Sequence, residues 1–224
     1  MSTYESFESS PTLPDPLPAE PFSLFRAWFE EAAALGATPN PNAMTLATID
    51  PDGRPSARIV LCKGIDAPTG CLVFFTNYES RKGRALDANP RAATVFHWDH
   101  AERQARIEGA VQRSSPGESD AYFASRPWES RLGAWASDQS RPIASREALL
   151  RQAADKVLEL GIDLGAAVRG DPVEIPRPPH WGGYRLIADR VELWVGGAGR
   201  LHDRACWERP PGGTGPWRGT RLQP

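Results

Sequence analysis

Short apolar runs of strand length, turn residues between them and a few amphipathic stretches of helical period predict an α+β protein built on a closed antiparallel sheet. Three observations carry that reading. Segments 43–50, 55–63, 71–76, 92–98 and 102–113 are strand-length and mostly rich in β-branched or aromatic residues. Pro51-Asp52-Gly53 and Asp99-His100 each separate two such segments, as hairpin turns do. Helical spacing is confined to interposed stretches, and no internal repeat is present.

The elements follow in chain order. Residues 1–20 are acidic and Pro-rich with few large apolar groups, which predicts a flexible arm. Residues 21–36 read as a helix, with Phe22, Phe25, Trp28, Phe29 and Ala32 on one face and Gly36 as the stop. Strands at 43–50 and 55–63 form the first hairpin, and 71–76 is a third strand. Residues 79–89 read as a short helix ended by Pro90. The second hairpin joins 92–98 to 102–113. Ser115-Pro116 opens a helix to about residue 126, with Ser as cap and Pro in the first turn. Residues 145–161 form another, carrying Leu149, Leu150, Ala153, Val157, Leu158 and Leu160. A Gly/Pro-rich loop is predicted over 163–179. Strands near 184–187, 191–195, 205–208 and 217–222 close the chain. Residues 21–224 are therefore expected to form one domain.

Bulk properties exclude several classes. The chain has 224 residues, 40% of them hydrophobic, enough for one large domain with a core. Net charge is −2, so no basic surface announces nucleic acid. No apolar run approaches the roughly 18–20 residues that span a bilayer. The N-terminal stretch has no basic segment followed by an apolar one, as a secretory signal would. Cys62, Cys71 and Cys206 are odd in number and lack C-x-x-C spacing, which argues against a disulfide framework or zinc knuckle. A cytoplasmic protein without metal or membrane partner is expected.

The chemistry-bearing residues cluster at strand ends. Among 23 Arg there are only three Lys, and two of them, Lys63 and Lys82, lie in RIVLCK (58–63) and TNYESRK (76–82). A compact ammonium chosen in an Arg-rich chain suits a phosphate, although Lys also caps exposed strand ends. Arg58 and Lys63 are five apart, which puts them on opposite faces of a regular strand. Thr76 to Lys82 runs from a strand end into a helix start, where free N–H groups and basic side chains suit an anion. Arg103, Gln104 and Arg106 lie within a strand and also fit a solubilising edge. Tyr122, Arg126 and Ser130 surround a helix end and fit a phosphate grip. Gln139-Ser140-Arg141-Pro142 is loop chemistry without a signal of its own. Gly199-Arg-Leu-His-Asp-Arg204 packs two Arg and a His after Trp194, and a surface turn accounts for it equally. His97 and His100 share a turn with no further ligands. Walker, nucleophile-elbow and dinucleotide-binding signatures are absent.

Taken in order, these segments resemble pyridoxamine 5′-phosphate oxidases, FMN enzymes of vitamin B6 metabolism. The resemblance runs from about residue 21 to 224 through NAMTLATID, RIVLCK, FFTNYESRKG, ERQARIEG, YFASRPWESRLGAWASDQSRP, PRPPHWGGYR, ELW, GRLHDR and the terminal RLQP. It implies a split β-barrel homodimer with two FMN sites between subunits. By position, FMN contacts fall on Arg58, Ile59, Lys63, Phe75, Thr76, Arg81, Lys82, Gln104, Gln139, Ser140, Trp194 and Arg204. Arg58, Arg81 and Lys82 are the implied partners of the FMN phosphate. Lys63, Tyr122, Arg126 and Ser130 would grip the phosphate of the B6 vitamer, with Arg200 and His202 against its ring and reacting carbon. The implied chemistry is hydride removal from C4′ of pyridoxine or pyridoxamine phosphate to the flavin. Dioxygen then reoxidises the flavin and hydrogen peroxide is released. Arg200 would orient the substrate and stabilise charge there, and His202 would position it or move a proton.

Two departures stand out. The family often carries an Arg-rich arm, whereas no basic residue precedes Arg26 here. Val195 follows Trp194 where Gln is common. An acidic arm and terminal RLQP are also similar to the flavin oxidases of phenazine biosynthesis, the alternative reading. Those relatives usually alter the Tyr–Arg–Ser trio that this chain keeps, which favours the B6 substrate. A third reading, a flavin-binding module without turnover, leaves Arg200 and His202 without purpose.

Overall fold

A computed structural model describes residues 11–224. Nine strands form one antiparallel sheet: β1 (Ala43–Ile49), β2 (Pro55–Leu61), β3 (Gly64–Asp66), β4 (Cys71–Asn77), β5 (Arg91–Trp98), β6 (Arg103–Arg113), β7 (Trp181–Val195), β8 (Asp203–Glu208) and β9 (Arg218–Leu222). The order along the sheet is β2-β1-β5-β6-β7-β4-β3, with β8 on the second half of β7 and β9 beyond it. The sheet curls into a half-barrel, the α+β split barrel expected. Its two ends meet at a corner two residues long. Cys62 N–H still donates to Asn42 O on the β1 side at 2.9 Å, while Lys63 N–H donates to Val73 O of β4 at 2.7 Å. Lys63 is therefore fixed by the backbone at the point where the chain leaves one sheet edge for the other.

Among the described residues, six α-helices decorate the barrel: α1 (Phe22–Leu35), α2 (Arg81–Ala88), α3 (Pro116–Ala124), α4 (Trp128–Ala136), α5 (Arg146–Glu159) and α6 (Leu164–Arg169). The face of α1 read from sequence is the buried one, and Gly36 ends the helix at φ 59°. Phe25 meets Phe96 edge-on at 5.2 Å, inside a core shared with Leu46, Leu72, Phe74, Leu186 and Trp207. A second apolar cluster joins Phe123, Val157, Ile162, Ile175 and Trp181 and holds α3, α4 and α5 against the start of β7.

Five segments depart from expectation, in three ways. First, 184–187 and 191–195 are parts of the single 15-residue strand β7. The intervening Ala188-Asp189-Arg190 looks like a polar break, but neighbours neutralise it: Arg91 Nη2 donates to buried Asp189 at 2.9 Å, and Arg190 pairs with Glu208. A bulge at Glu108/Gly109 absorbs the register shift. Second, α4 and α6 occupy stretches read as turn or loop. Trp128, Leu132 and Trp135 supply α4's packed face, and Asp163 caps α6 by accepting from Ala166 N–H at 3.0 Å. Short β3 was not anticipated either. Third, half of the expected arm is tied down. Leu13 is buried, its N–H donates to Asp203 at 2.7 Å, and Trp207 Nε1 donates to Pro18 O at 2.8 Å. Residues 1–10 of that arm lie outside the described residues. All three cysteines are buried free thiols, and burial pushes Cys62 up to about 11. Among the described residues no helix is long and apolar enough to cross a membrane.

Candidate active site

A cavity of about 320 Å³ opens where β2, β4, α2, α3 and the loop after α4 converge. Ile59, Lys63, Phe75, Thr76, Lys82, Tyr122, Arg126 and Gln139 line it. A neighbouring cavity of about 290 Å³ shares Asn77, Arg126, Gln139 and Trp181 and adds Ser130. Nine residues named from sequence thus surround one space. Its floor is aromatic: Phe75 stacks on Tyr122 at 3.9 Å and on Trp181 at 5.6 Å between ring centroids.

The charges around this space are unusual because acids do not neutralise them. Lys82 Nζ donates to Gln139 Oε1 at 2.6 Å, Thr76 Oγ1 at 2.9 Å and Ser80 Oγ at 3.1 Å. Burial, reinforced by the positive charge of Arg58, pulls its pKa down to about 8. Arg126 lies over the Trp181 ring at 4.7 Å, and its buried Nη1 has no hydrogen-bond partner. Burial lowers its pKa, and Arg131 adds to that against the opposing pull of Tyr122. Among the described residues, neither Lys82 nor Arg126 has a carboxylate within ion-pair distance. A half-buried cation left without a counter-carboxylate suits an anion.

The other arginines expected here are held by the protein. Arg58 donates to Leu46 O and Thr48 Oγ1, both at 2.9 Å, and to Ser56 Oγ at 2.5 Å. It stands behind the cavity and acts on Lys82 through its charge. Arg81 turns to Asp50, donating from Nε at 2.9 Å and Nη2 at 2.6 Å, and this holds Asp50's carboxyl below its ordinary value. Helix α2 starts beside Lys82, where Ser80 caps it by accepting from Gly83 N–H at 3.2 Å. Ser140 is exposed and outside the lining, but its φ of 69° is a left-handed value. Only three described non-glycine residues have positive φ, and Ser140 and Arg200 are two of them. Such outliers concentrate at functional sites.

Gln104, Trp194, Arg200, His202 and Arg204 form a second group. Trp194 lies opposite Gln104 on β6 and Arg204 on β8. His202 packs against Trp194 at 4.7 Å, and its Nδ1 accepts the Gly197 N–H at 3.1 Å. In the neutral ring the proton then sits on Nε2. Within one chain, the second group does not line either cavity and sits toward the other end of β7. Thr76 pairs with Gly182 and Gln104 with Trp194, twelve residues further along β7, about 40 Å of extended strand.

Residues not singled out from sequence also matter. Asn77 and Trp181 line both cavities, Arg131 crowds Arg126, and Asp50 fixes Arg81. Asn77 and Trp181 pair across β4 and β7, a contact visible only once the strands are registered.

A protein-family model described as pyridoxamine 5′-phosphate oxidase matches residues 30–160, more than half the chain. The chain belongs to the pyridoxamine 5′-phosphate oxidase family. A second family model, the pyridoxine 5′-phosphate oxidase C-terminal dimerisation region, matches residues 181–224, which span β7 to β9. A pyridoxine/pyridoxamine 5′-phosphate oxidase of Cupriavidus necator is 52% identical over 205 residues, 92% of this chain and 89% of that protein. One from Chromobacterium violaceum is 50% identical over 223 residues, 99% of this chain and 95% of that protein. Among solved structures, PhzG from Burkholderia lata, in complex with tetrahydrophenazine-1-carboxylic acid, superposes with a TM-score of 0.80. It is 32% identical and covers 94% of this chain and 95% of that one. A related FMN-binding protein from Nostoc punctiforme shares the fold at TM-score 0.66 and 18% identity, covering 90% of this chain and 96% of that one.

Proposed function

We propose that this member of the pyridoxamine 5′-phosphate oxidase family is an FMN-dependent enzyme. It oxidises pyridoxine or pyridoxamine 5′-phosphate to pyridoxal 5′-phosphate, with dioxygen as acceptor and hydrogen peroxide as second product; from the amine, one water is also consumed and ammonia leaves. One observation carries this reading: two cations without counter-carboxylates, Lys82 and Arg126, face one aromatic-floored cavity. Two phosphate esters, one on the cofactor and one on the substrate, answer both needs. Lys82, Thr76 and Gln139, backed by the charge of Arg58, suit the FMN phosphate. Arg126, with Tyr122, Ser130 and Lys63, suits the vitamer phosphate.

Bound FMN would supply the two-electron acceptor that no side chain provides. The remaining tasks fall to the chain. Phosphate contacts fix the substrate at one end, so its reacting carbon is presented in a constant place. Phe75, Tyr122 and Trp181 offer planar apolar surface to ring systems and exclude water. Arg200 stabilises charge near the reacting carbon, and Nε2–H of His202 donates a hydrogen bond there. The two groups lie at opposite ends of β7, so a working site joins the cavity of one subunit to the Trp194–Arg204 group of another. The match to a dimerisation region over the strands that carry the second group supports a homodimer. The setting expected is the cytoplasm.

The likeness to PhzG supports a second reading, oxidation of a dihydrophenazine carboxylate. Such a substrate lacks the phosphate that Arg126 calls for. The test is formation of pyridoxal or its phosphate by the FMN-loaded protein from phosphorylated and unphosphorylated vitamers. Only the phosphorylated forms should turn over appreciably, because a site built for a polar group rejects analogues lacking it. Equal kcat/KM for both would overturn the assignment.

A further inference from the structure

We infer that Glu192 is a positioning residue that fixes the guanidinium of Arg204 for contact with the flavin, a role that rests on the FMN reading above. One face of the β6–β7–β8 sheet carries a ladder of alternating charge. Glu208 pairs with Arg190, Arg190 lies 3.8 Å from Glu108, Glu108 lies 3.3 Å from Arg106, and Arg106 lies 3.2 Å from Glu192. Glu192 ends the ladder on Arg204 at 2.7 Å. Position in the register dictates this order, since Arg106 lies opposite Glu192 and Arg204 sits opposite Trp194.

Glu192 differs from the other acids of the ladder. Its side chain is 4% exposed, against 34% for Glu108 and 61% for Glu208. A buried ion pair repays its desolvation poorly as a stabilising device, so a buried carboxylate between two arginines calls for another purpose. Its geometry supplies one. Glu192 Oε1 accepts from Arg204 Nε at 3.2 Å and Nη2 at 2.7 Å, while Arg204 Nη1 donates to Gln223 O at 3.1 Å. Three of the five guanidinium N–H groups are committed, which locks the plane and leaves two donors free. Glu192 Oε2 is held by Arg106 Nη1 at 3.2 Å, so the carboxylate is itself immobile. The arrangement leaves one net positive charge over the three groups and presents it in a single orientation.

The test is FMN affinity, read by quenching of flavin fluorescence on titration with apoprotein, for wild type, Glu192→Gln, Arg204→Gln and the double variant. Glu192→Gln should weaken FMN about tenfold, within the range for losing one charge-assisted bond. The double variant should bind no more weakly than Arg204→Gln, because Glu192 acts through Arg204. Glu192→Asp, which keeps the charge but withdraws the carboxylate, should show the same loss and serves if the Gln variant does not fold. Unchanged affinity in Glu192→Gln, or losses that multiply in the double variant, would overturn the role while leaving the FMN reading intact. Failure of wild type to bind FMN would overturn both.

Discussion

Lys82 stands among three oxygen acceptors without an acid, and its pKa of about 8 makes the site sensitive to pH. The folded state holds this proton less tightly than the unfolded chain. The stability cost is therefore fully present below pH 8 and is relieved as pH climbs toward the ordinary 10.5. Phosphate affinity runs the other way and falls as pH rises past 8, because the ammonium loses its charge. Lys82→Met should abolish both slopes, checked by urea unfolding of apoprotein and FMN titration across pH 7 to 10. A variant that kept the wild-type slopes would assign them elsewhere. Arg126→Ala should raise KM for the phosphorylated vitamer roughly 10- to 100-fold, the scale of one charge-assisted bond, with FMN affinity nearly unchanged. Loss of FMN with substrate affinity retained would exchange the two phosphate assignments. At this scale the sequence was informative where residue type is rare: Lys63 and Lys82 are two of three lysines, and both line the cavity. Arg81 was not legible in the same way, because its partner Asp50 lies 31 residues earlier in sequence, at the β1–β2 turn.

Element by element, the site depends on how closely α2 approaches the end of β4. A Cβ on Gly83 would lie 1.9 Å from the carbonyl oxygen of Tyr78, so only glycine lets the helix start there. Gly83→Ala should destabilise the fold by about 1–3 kcal/mol, as overpacking does, and weaken FMN as Lys82 is displaced. Thermal unfolding and flavin titration check the two effects, and wild-type values for both would remove α2's close approach from the account of the site. The helices with a clean period, α1 and α5, and the hairpins with strong turn residues were readable from local pattern. Strand β7 was not, because Asp189 and Arg190 break the apolar run and their partners Arg91 and Glu208 lie far off in sequence. Helix α4 was hidden for a related reason: Trp128, Leu132 and Trp135 are interrupted by Glu129, Ser130, Arg131 and Gly133, and the cluster they pack on comes partly from Ile162, Ile175 and Trp181 far along the chain.

Across the whole molecule, the two groups proposed to build one site sit at opposite ends of β7, and the proposed site therefore calls for a second copy. Their separation was not visible in sequence, where the members simply follow one another. Lys82→Ala and Arg200→Ala should each be inactive alone. Mixed by co-expression or subunit exchange, they should recover about a quarter of the sites, since each heterodimer holds one intact combination. No recovery in verified heterodimers would mean that each site is built within one chain. The choice of substrate is also tested at this level, because the fold is shared by proteins named pyridoxine/pyridoxamine 5′-phosphate oxidase and by one solved in complex with tetrahydrophenazine-1-carboxylic acid. The most direct measurement is oxygen uptake by one FMN-loaded sample, given pyridoxine 5′-phosphate, pyridoxamine 5′-phosphate or a dihydrophenazine carboxylate at matched concentration. Rapid uptake with the phosphorylated vitamer and little with the phenazine is the expected result. Fast oxidation of the phenazine, with negligible uptake on both pyridoxine and pyridoxamine 5′-phosphates, would contradict it.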